Sequence, residues 1–196
     1  MMEKFGRSRE QLCRIYGYVV NFLYERWSDT IYFAPYADRR RSQHFADAIH
    51  RKGAPTKTFY GFTDGTKVET CRPHAAAAPD MNLQKEVYSG HKRRHCFNFQ
   101  AVTAPDGICI HFFGPVEGRR HDTTLLHHSA LKSHLETNHE TFDGFMIYGD
   151  PAYGMSKWIM TGYKGNQVDG QKKEFNRCMS QVRQSVEWNF GRMKTL

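Results

Sequence analysis

The hydrophobic period of this chain changes from helical to alternating near Phe59, and that change limits the folds open to it. Ahead of it, "SREQLCRIYGYVVNFLYERW" opens on a capping-box pattern, Ser8 with Gln11. It then repeats Leu12, Ile15, Val19, Leu23 and Trp27 at helical spacing, a stripe expected to pack. "DRRRSQHFADAIHRKG" predicts a second helix from an N-cap Asp38 to a terminating Gly53, with Phe45 and Ile49 inward and three arginines at its start. Positive charge there opposes the helix dipole, so the arginines are either a solvated face or used on a ligand.

Beyond the change, "TFYGFTDGTKVET" reads as strand, turn at Asp64-Gly65, strand. "RHCFNFQAVTAPDGICIHFFG" reads as a hairpin closed by Pro105-Asp106-Gly107. Between them "CRPHAAAAPDMNLQKEVYSGHKRR" has no stable period and is expected to be a long loop. A helix starting near Asp122 carries Leu125, Leu126, Leu131 and Leu135, and the short apolar run Phe145 to Tyr148 is a strand that Gly149 and Pro151 stop. A Gly-rich polar connection leads to a last helix, "QKKEFNRCMSQVRQSVEWNFGRMK", striped by Phe175, Met179, Val182, Val186, Phe190 and Met193. The pattern is α/β: a helical N-terminal region over residues 1–54, then a mixed domain over 55–196 that is long enough to bury one core.

Charge and cysteine usage narrow the partner and the compartment. The formal net charge of +8 favours a polyanion, with nucleic acid as the default. Five scattered cysteines without a CxxC suggest reduced thiols inside a cell rather than a disulfide framework. The first twenty residues interleave charged and apolar positions, which is not a signal-peptide pattern, and no apolar run is long enough to span a bilayer.

Three acids stand out. Asp150 follows the Phe145 strand directly, and Asp64 lies just past another apolar strand, beside a glycine that permits close approach of a ligand. On the last helix Glu187 lies about a quarter turn from the centre of the apolar stripe, on a flank with Asn176, Arg183 and Lys194, where it would face a cleft. An ordinary helix salt bridge between Arg183 and Glu187, four apart, competes with that reading. Two aspartates at strand ends and a glutamate on a late helix are what a pair of hard divalent cations requires. Mg²⁺ takes oxygen ligands and keeps positions open for water and phosphate, and converging carboxylates are costly without a cation.

"GFTDGTKV", "GPVEGRRHDTTLLHHSAL", "YGDPAYG" and "RQSVEWNFGRMK", in this order, resemble the nuclease domain of the PIF/Harbinger transposases, a DDE-type group with an RNase H-like fold. The likeness runs from about Phe45 to the C-terminus, and the 36 residues between Asp150 and Glu187 are similar to the family's last interval. It implies an RNase H-like mixed sheet flanked by helices, with a short helical N-terminal extension. Carried over residue by residue, Asp64 falls on the first catalytic Asp, Asp150 on the second and Glu187 on the Glu. The implied activity is metal-dependent cleavage of DNA phosphodiester bonds and strand transfer. Two Mg²⁺ or Mn²⁺ ions about 4 Å apart would be held by those three acids, one activating the water or 3′-hydroxyl and the other stabilising the leaving oxygen.

Under the same resemblance the basic segments "HKRRH" and "GRRH", with Lys92, Arg93, Arg94, Arg119, Arg120, Arg183 and Lys194, would hold DNA through its phosphates. His121 and Asp122 precede a helix and are expected behind the metal ligands, Asp122 as their support or as an N-cap. The family implies a nuclear protein acting with a separate Myb-like DNA-binding partner. The chain starts partway into the family's helical region and ends nine residues beyond Glu187, which implies truncation at both ends. An alternative follows: a catalytically inactive, domesticated DNA-binding or interaction protein that keeps the fold. A zinc site of Cys71, His74, His91 and His95 or Cys96 has roughly finger-like spacing, but the loop between contains nothing like a finger helix.

Overall fold

The computed structural model describes residues 2–34, 38–73, 82–165 and 168–195, with the backbone alone at 2, 3, 185–190 and 192–195. The chain runs α1 (Met2–Phe5), α2 (Arg9–Tyr32), α3 (Arg39–Arg51), β1 (Phe59–Glu69), α4 (Leu83–Val87), β2 (Tyr88–Ser89), β3 (Arg94–Thr103), β4 (Cys109–Glu117), α5 (Asp122–His128), α6 (Leu131–Thr137), α7 (His139–Phe142), β5 (Met146–Gly149), β6 (Ile159–Thr161) and α8 (Gly170–Thr195). A 3₁₀ turn at Pro151–Tyr153 follows β5. Among the described residues no helix is long and apolar enough to cross a membrane.

The helix entrances form for the reasons legible in the sequence. Ser8 Oγ accepts from the Gln11 N–H while Gln11 Oε1 accepts from the Ser8 N–H, the reciprocal cap that starts α2. Asp38 caps α3 by accepting from the Arg41 N–H at 2.7 Å, and Phe45 and Ile49 turn inward. Two of the three arginines at that entrance serve the fold: Arg39 donates to the carbonyls of Glu140 and Asp143, and Arg41 pairs with Asp106.

The stripe on α2 does not pack as expected. No residue of α2 is buried, and Ile15, Val19, Leu23 and Trp27 are each more than two-fifths exposed. Tyr16, Val20 and Tyr24 are apolar on other faces, and among the described residues α2 meets the body at its C-terminal end. There Tyr32 donates to the Ser129 carbonyl and Phe33 stacks between His111 and His134.

The Asp64-Gly65 turn is absent, and β1 runs straight through both residues. Its register against β3 pairs Asp64 with Ala101 and Gly65 with Gln100, so the ladder overrides the local turn signal. The expected hairpin is present, with Ala104 N–H bonded to the Ile108 carbonyl across Pro105-Asp106-Gly107. The long loop is interrupted by α4, which Asn82 caps through the Lys85 N–H, and by β2. Of the finger-like set, His74 lies outside the described residues. The helix from Asp122 breaks at Ala130, whose φ of 52° ends α5 and starts α6. The connection after Pro151 contains β6, whose Ile159 is buried beside Trp158.

The sheet is mixed. In the order β4-β3-β1-β5-β6, the first three strands are antiparallel and β5 and β6 run parallel to β1, while β2 pairs with the first residues of β3. An irregularity in β1 between Phe59 and Gly61 breaks the alternation and sends Tyr60 to one core with Ile147, Leu126, Leu135 and Phe142, and Phe59 and Phe62 to another with Ile49, Tyr148, Met179 and Val182. Helices α5 to α7 therefore cover one face and α8 the other, while α3 reaches the first through Phe45 and Ala46 and the second through Ile49. This is an RNase H-like architecture with a helical N-terminal segment.

Candidate active site

β5 ends where the site begins. The last pair of its parallel register is Thr63 with Gly149, so Asp64 and Asp150 are the next residues on neighbouring strands. Asp64 is thus mid-strand in β1 and yet at the mouth of the β1–β5 pair. Asp150 stays there because it caps the 3₁₀ turn, its Oδ1 accepting from the Ala152 N–H at 2.8 Å while Pro151 stops the strand. Asp64 Oδ1 accepts from the Gly65 N–H at 2.9 Å.

Arg183 of α8 joins the two acids. One terminal nitrogen lies 3.1 Å from Asp64 Oδ1 and the other 3.7 Å from Asp150 Oδ2. Its side chain is only 20% exposed, so the pair is screened less than a surface salt bridge. Its buried Nε has no hydrogen-bond partner among the described residues. Burial lifts the Asp64 carboxyl above the ordinary aspartate range; Arg183 and the Gly65 N–H pull it back, and Asp122 and Asp150 push it up again. Burial likewise raises the phenol of Tyr153, with Asp122, Asp64 and Asp150 adding to it.

Asp122 stands closer to this centre than a helix cap would. A Cβ on Gly65 would meet Asp122 Oδ1 at 2.7 Å, so the glycine serves close approach of a carboxylate rather than a turn. Asp122 is the first residue of α5, and the N-cap position belongs to His121, which makes no side-chain capping bond. Asn98 Nδ2 donates to Asp122 Oδ1 at 3.4 Å.

Position 187 lies one helical turn beyond Arg183 on α8; the side chains of Glu187 and Lys194 lie outside the described residues. The other basic residues gather on the Asp122 side. Two clefts of about 770 and 1020 Å³ open there. Lys92 and Arg94 border the first, Arg119, Arg120 and His121 the second, and Lys67 and Asp122 border both. Arg93 sits in the β2–β3 turn with a left-handed backbone. Arg94, Arg119 and Arg120 are paired with Glu69, Glu86 and Glu117. Lys67 was not singled out from the sequence; the signal available was its place three residues after Asp64 on the same strand.

Among the described residues no three His, Cys, Asp or Glu side chains converge as a metal-binding group. The Asp64–Asp150 pair, with oxygen donors of the hard type, is the part of the expected set that the structure brings together around a cation. No curated protein and no solved structure matches the chain. A family model, described as a DDE superfamily endonuclease, matches residues 63–196. That match begins beside Asp64, takes in Asp150 and the whole of α8, and covers more than half of the sequence, so the chain belongs to the DDE superfamily endonuclease family.

Proposed function

We propose that this protein is a metal-dependent DNA nuclease of the PIF/Harbinger type, cutting and joining phosphodiester bonds with Asp64, Asp150 and Glu187. The observation that carries the reading is the meeting of Asp64 and Asp150 on one guanidinium at the end of β5. Two carboxylates share a single cation there, and burial with neighbouring acids works against the charge on Asp64. Such a pair suits hard divalent ions, and Glu187, a turn beyond Arg183, would complete the set. Bound Mg²⁺ or Mn²⁺ would supply an activated water or 3′-hydroxyl and stabilise the leaving oxygen.

The protein's own groups do the rest. The Ala152 and Gly65 N–H groups fix one oxygen of each aspartate, which holds the pair in register. Lys92, Arg93, Arg94, Arg119 and Arg120 would hold the DNA backbone without reading bases, joined by Lys194 and, once off the acids, by Arg183. The family resemblance further supports a nuclear site of action and a separate Myb-like partner that reads sequence.

The Arg183 bridge favours one alternative, a protein that binds DNA and does not cut it, because the guanidinium already occupies both acids. Nicking of supercoiled plasmid in Mn²⁺ separates the two. The nuclease reading expects cleavage that chelation stops and that Asp64→Asn or Asp150→Asn lowers at least about a hundredfold, the scale of a lost electrostatic contribution to the transition state. Plasmid left intact by wild type that still binds it would select the alternative.

A further inference from the structure

We propose that Lys67 forms a phosphodiester subsite of the bound DNA strand, about three nucleotides from the bond that is cut. The inference rests on the nuclease reading above and extends it to a residue that reading does not use.

Lys67 lies on β1, three residues beyond Asp64 and on the Gly65 side of the strand. Its ammonium donates to Ser89 Oγ at 3.1 Å and to the Gly118 carbonyl at 2.9 Å. Ser89 is buried, and the backbone at Gly118 is pressed so close to α4 and β3 that a Cβ there would fall 2.7 Å from both the Val87 carbonyl and Cys96 Sγ. The lysine is therefore held by two fixed neutral acceptors. An ammonium has three N–H donors, and these contacts use two.

Its charge is also left standing. The arginines around it are each paired with a glutamate, whereas no carboxylate lies within ion-pair distance of Lys67 among the described residues. Asp122, which borders the same clefts, bonds instead with Asn98. Half-burying a cation against neutral groups is costly unless an anion completes its surroundings. Lys67 borders both clefts, so an anion beside it would lie on the path between them.

The spacing suits one strand of DNA. Three residues of a β-strand advance about 10 Å along the strand, with Asp64 and Lys67 facing opposite sides of the sheet. One strand of duplex DNA advances about 3.4 Å per nucleotide along the axis, so that distance corresponds to about three phosphates. A compact ammonium binds a phosphate as a point charge and needs no bidentate geometry.

The test is a salt titration of duplex DNA binding without divalent metal, comparing wild type with Lys67→Gln, Lys67→Arg and Ser89→Ala, each checked by thermal melting. Loss of one phosphate contact should lower the slope of log K against log salt by about 1 in Lys67→Gln, and weaken binding alike on unrelated sequences. Lys67→Arg and Ser89→Ala, which keep the charge, should keep the wild-type slope. Oligonucleotides carrying one neutral methylphosphonate should show a weak position about three nucleotides from the nick, mapped separately in Mn²⁺, with wild type and none with Lys67→Gln. A lower melting temperature with an unchanged slope would make Lys67 a structural residue and overturn the subsite while leaving the nuclease reading intact. Wild type that binds no DNA would overturn both.

Discussion

Asp64 carries its charge against its surroundings, since burial outweighs the pull of Arg183 and of the Gly65 N–H. A carboxyl raised in the folded state stabilises the fold fully below its unfolded value, near 4, and that contribution is lost as pH rises through the folded value. Asp64→Asn, which cannot ionise, should therefore melt at or above the wild-type temperature at pH 7, with the advantage vanishing near pH 3. Thermal melts across that range would check this; a variant less stable at pH 7 and equal at pH 3 would show that the bond to Arg183 dominates instead. The flank of α8 that bears Arg183 was legible from the helical period, and Asn176 on the same flank bonds both the N–H and the carbonyl of Tyr163. What the period could not supply was the partner. Arg183 stands four residues from Glu187, a spacing that suggests a bond along the helix, and only the β1–β5 register puts two aspartates within its reach. Gly65 was similarly ambiguous, because a turn and a close approach both call for glycine.

At the scale of elements, α2 hangs from its last turn. His111 of β4 sits in that joint, one ring nitrogen 2.7 Å from the Tyr32 carbonyl and Nε2 buried with no partner among the described residues. Burial brings its pKa down to about 4, with the nearby His134 adding to the effect, while the unfolded chain titrates near 6.5. A base depressed in this way stabilises the fold above pH 6.5, and the contribution is lost as pH falls toward 4. His134, also lowered by burial, acts in the same direction. On the order of 3 kcal/mol should be lost over that window. His111→Phe should flatten the fall in melting temperature between pH 6.5 and 4, at the cost of about 1 kcal/mol for one hydrogen bond at pH 7. The helices were readable because caps and stripes are local, whereas the exposure of α2 was not, since a stripe states a need for a partner and not its presence. Strand β6 escaped because three residues make no period, and the α5–α6 break because an alanine at positive φ leaves no mark in the sequence.

For the molecule as a whole, the order of strands brings the acids together with the basic clefts beside them, in a chain of net charge +8. A divalent ion that binds only the folded state should raise the melting temperature by mass action, by roughly 5–10 °C at a hundredfold excess over its Kd. Scanning calorimetry with Mn²⁺ would measure it, and Asp150→Asn should abolish the shift. The α/β class was legible because the change of period sorts helices from strands, whereas the division of the core between two faces of the sheet was not. The pairing of β1 with β5 was not, because it joins distant segments and depends on neither. That pairing bears on how fast the protein can form. The antiparallel partner of β1 is the next long strand, but its parallel partner starts only at Met146, after α4, two more strands of that size and three helices. Closing so large a loop before any contact rewards it makes assembly slow, and until β5 docks, one edge of β1 is open to strands of other molecules. The two aspartates meet only when that loop closes, so the step that completes the chemistry also ends the interval in which the chain is most prone to aggregate.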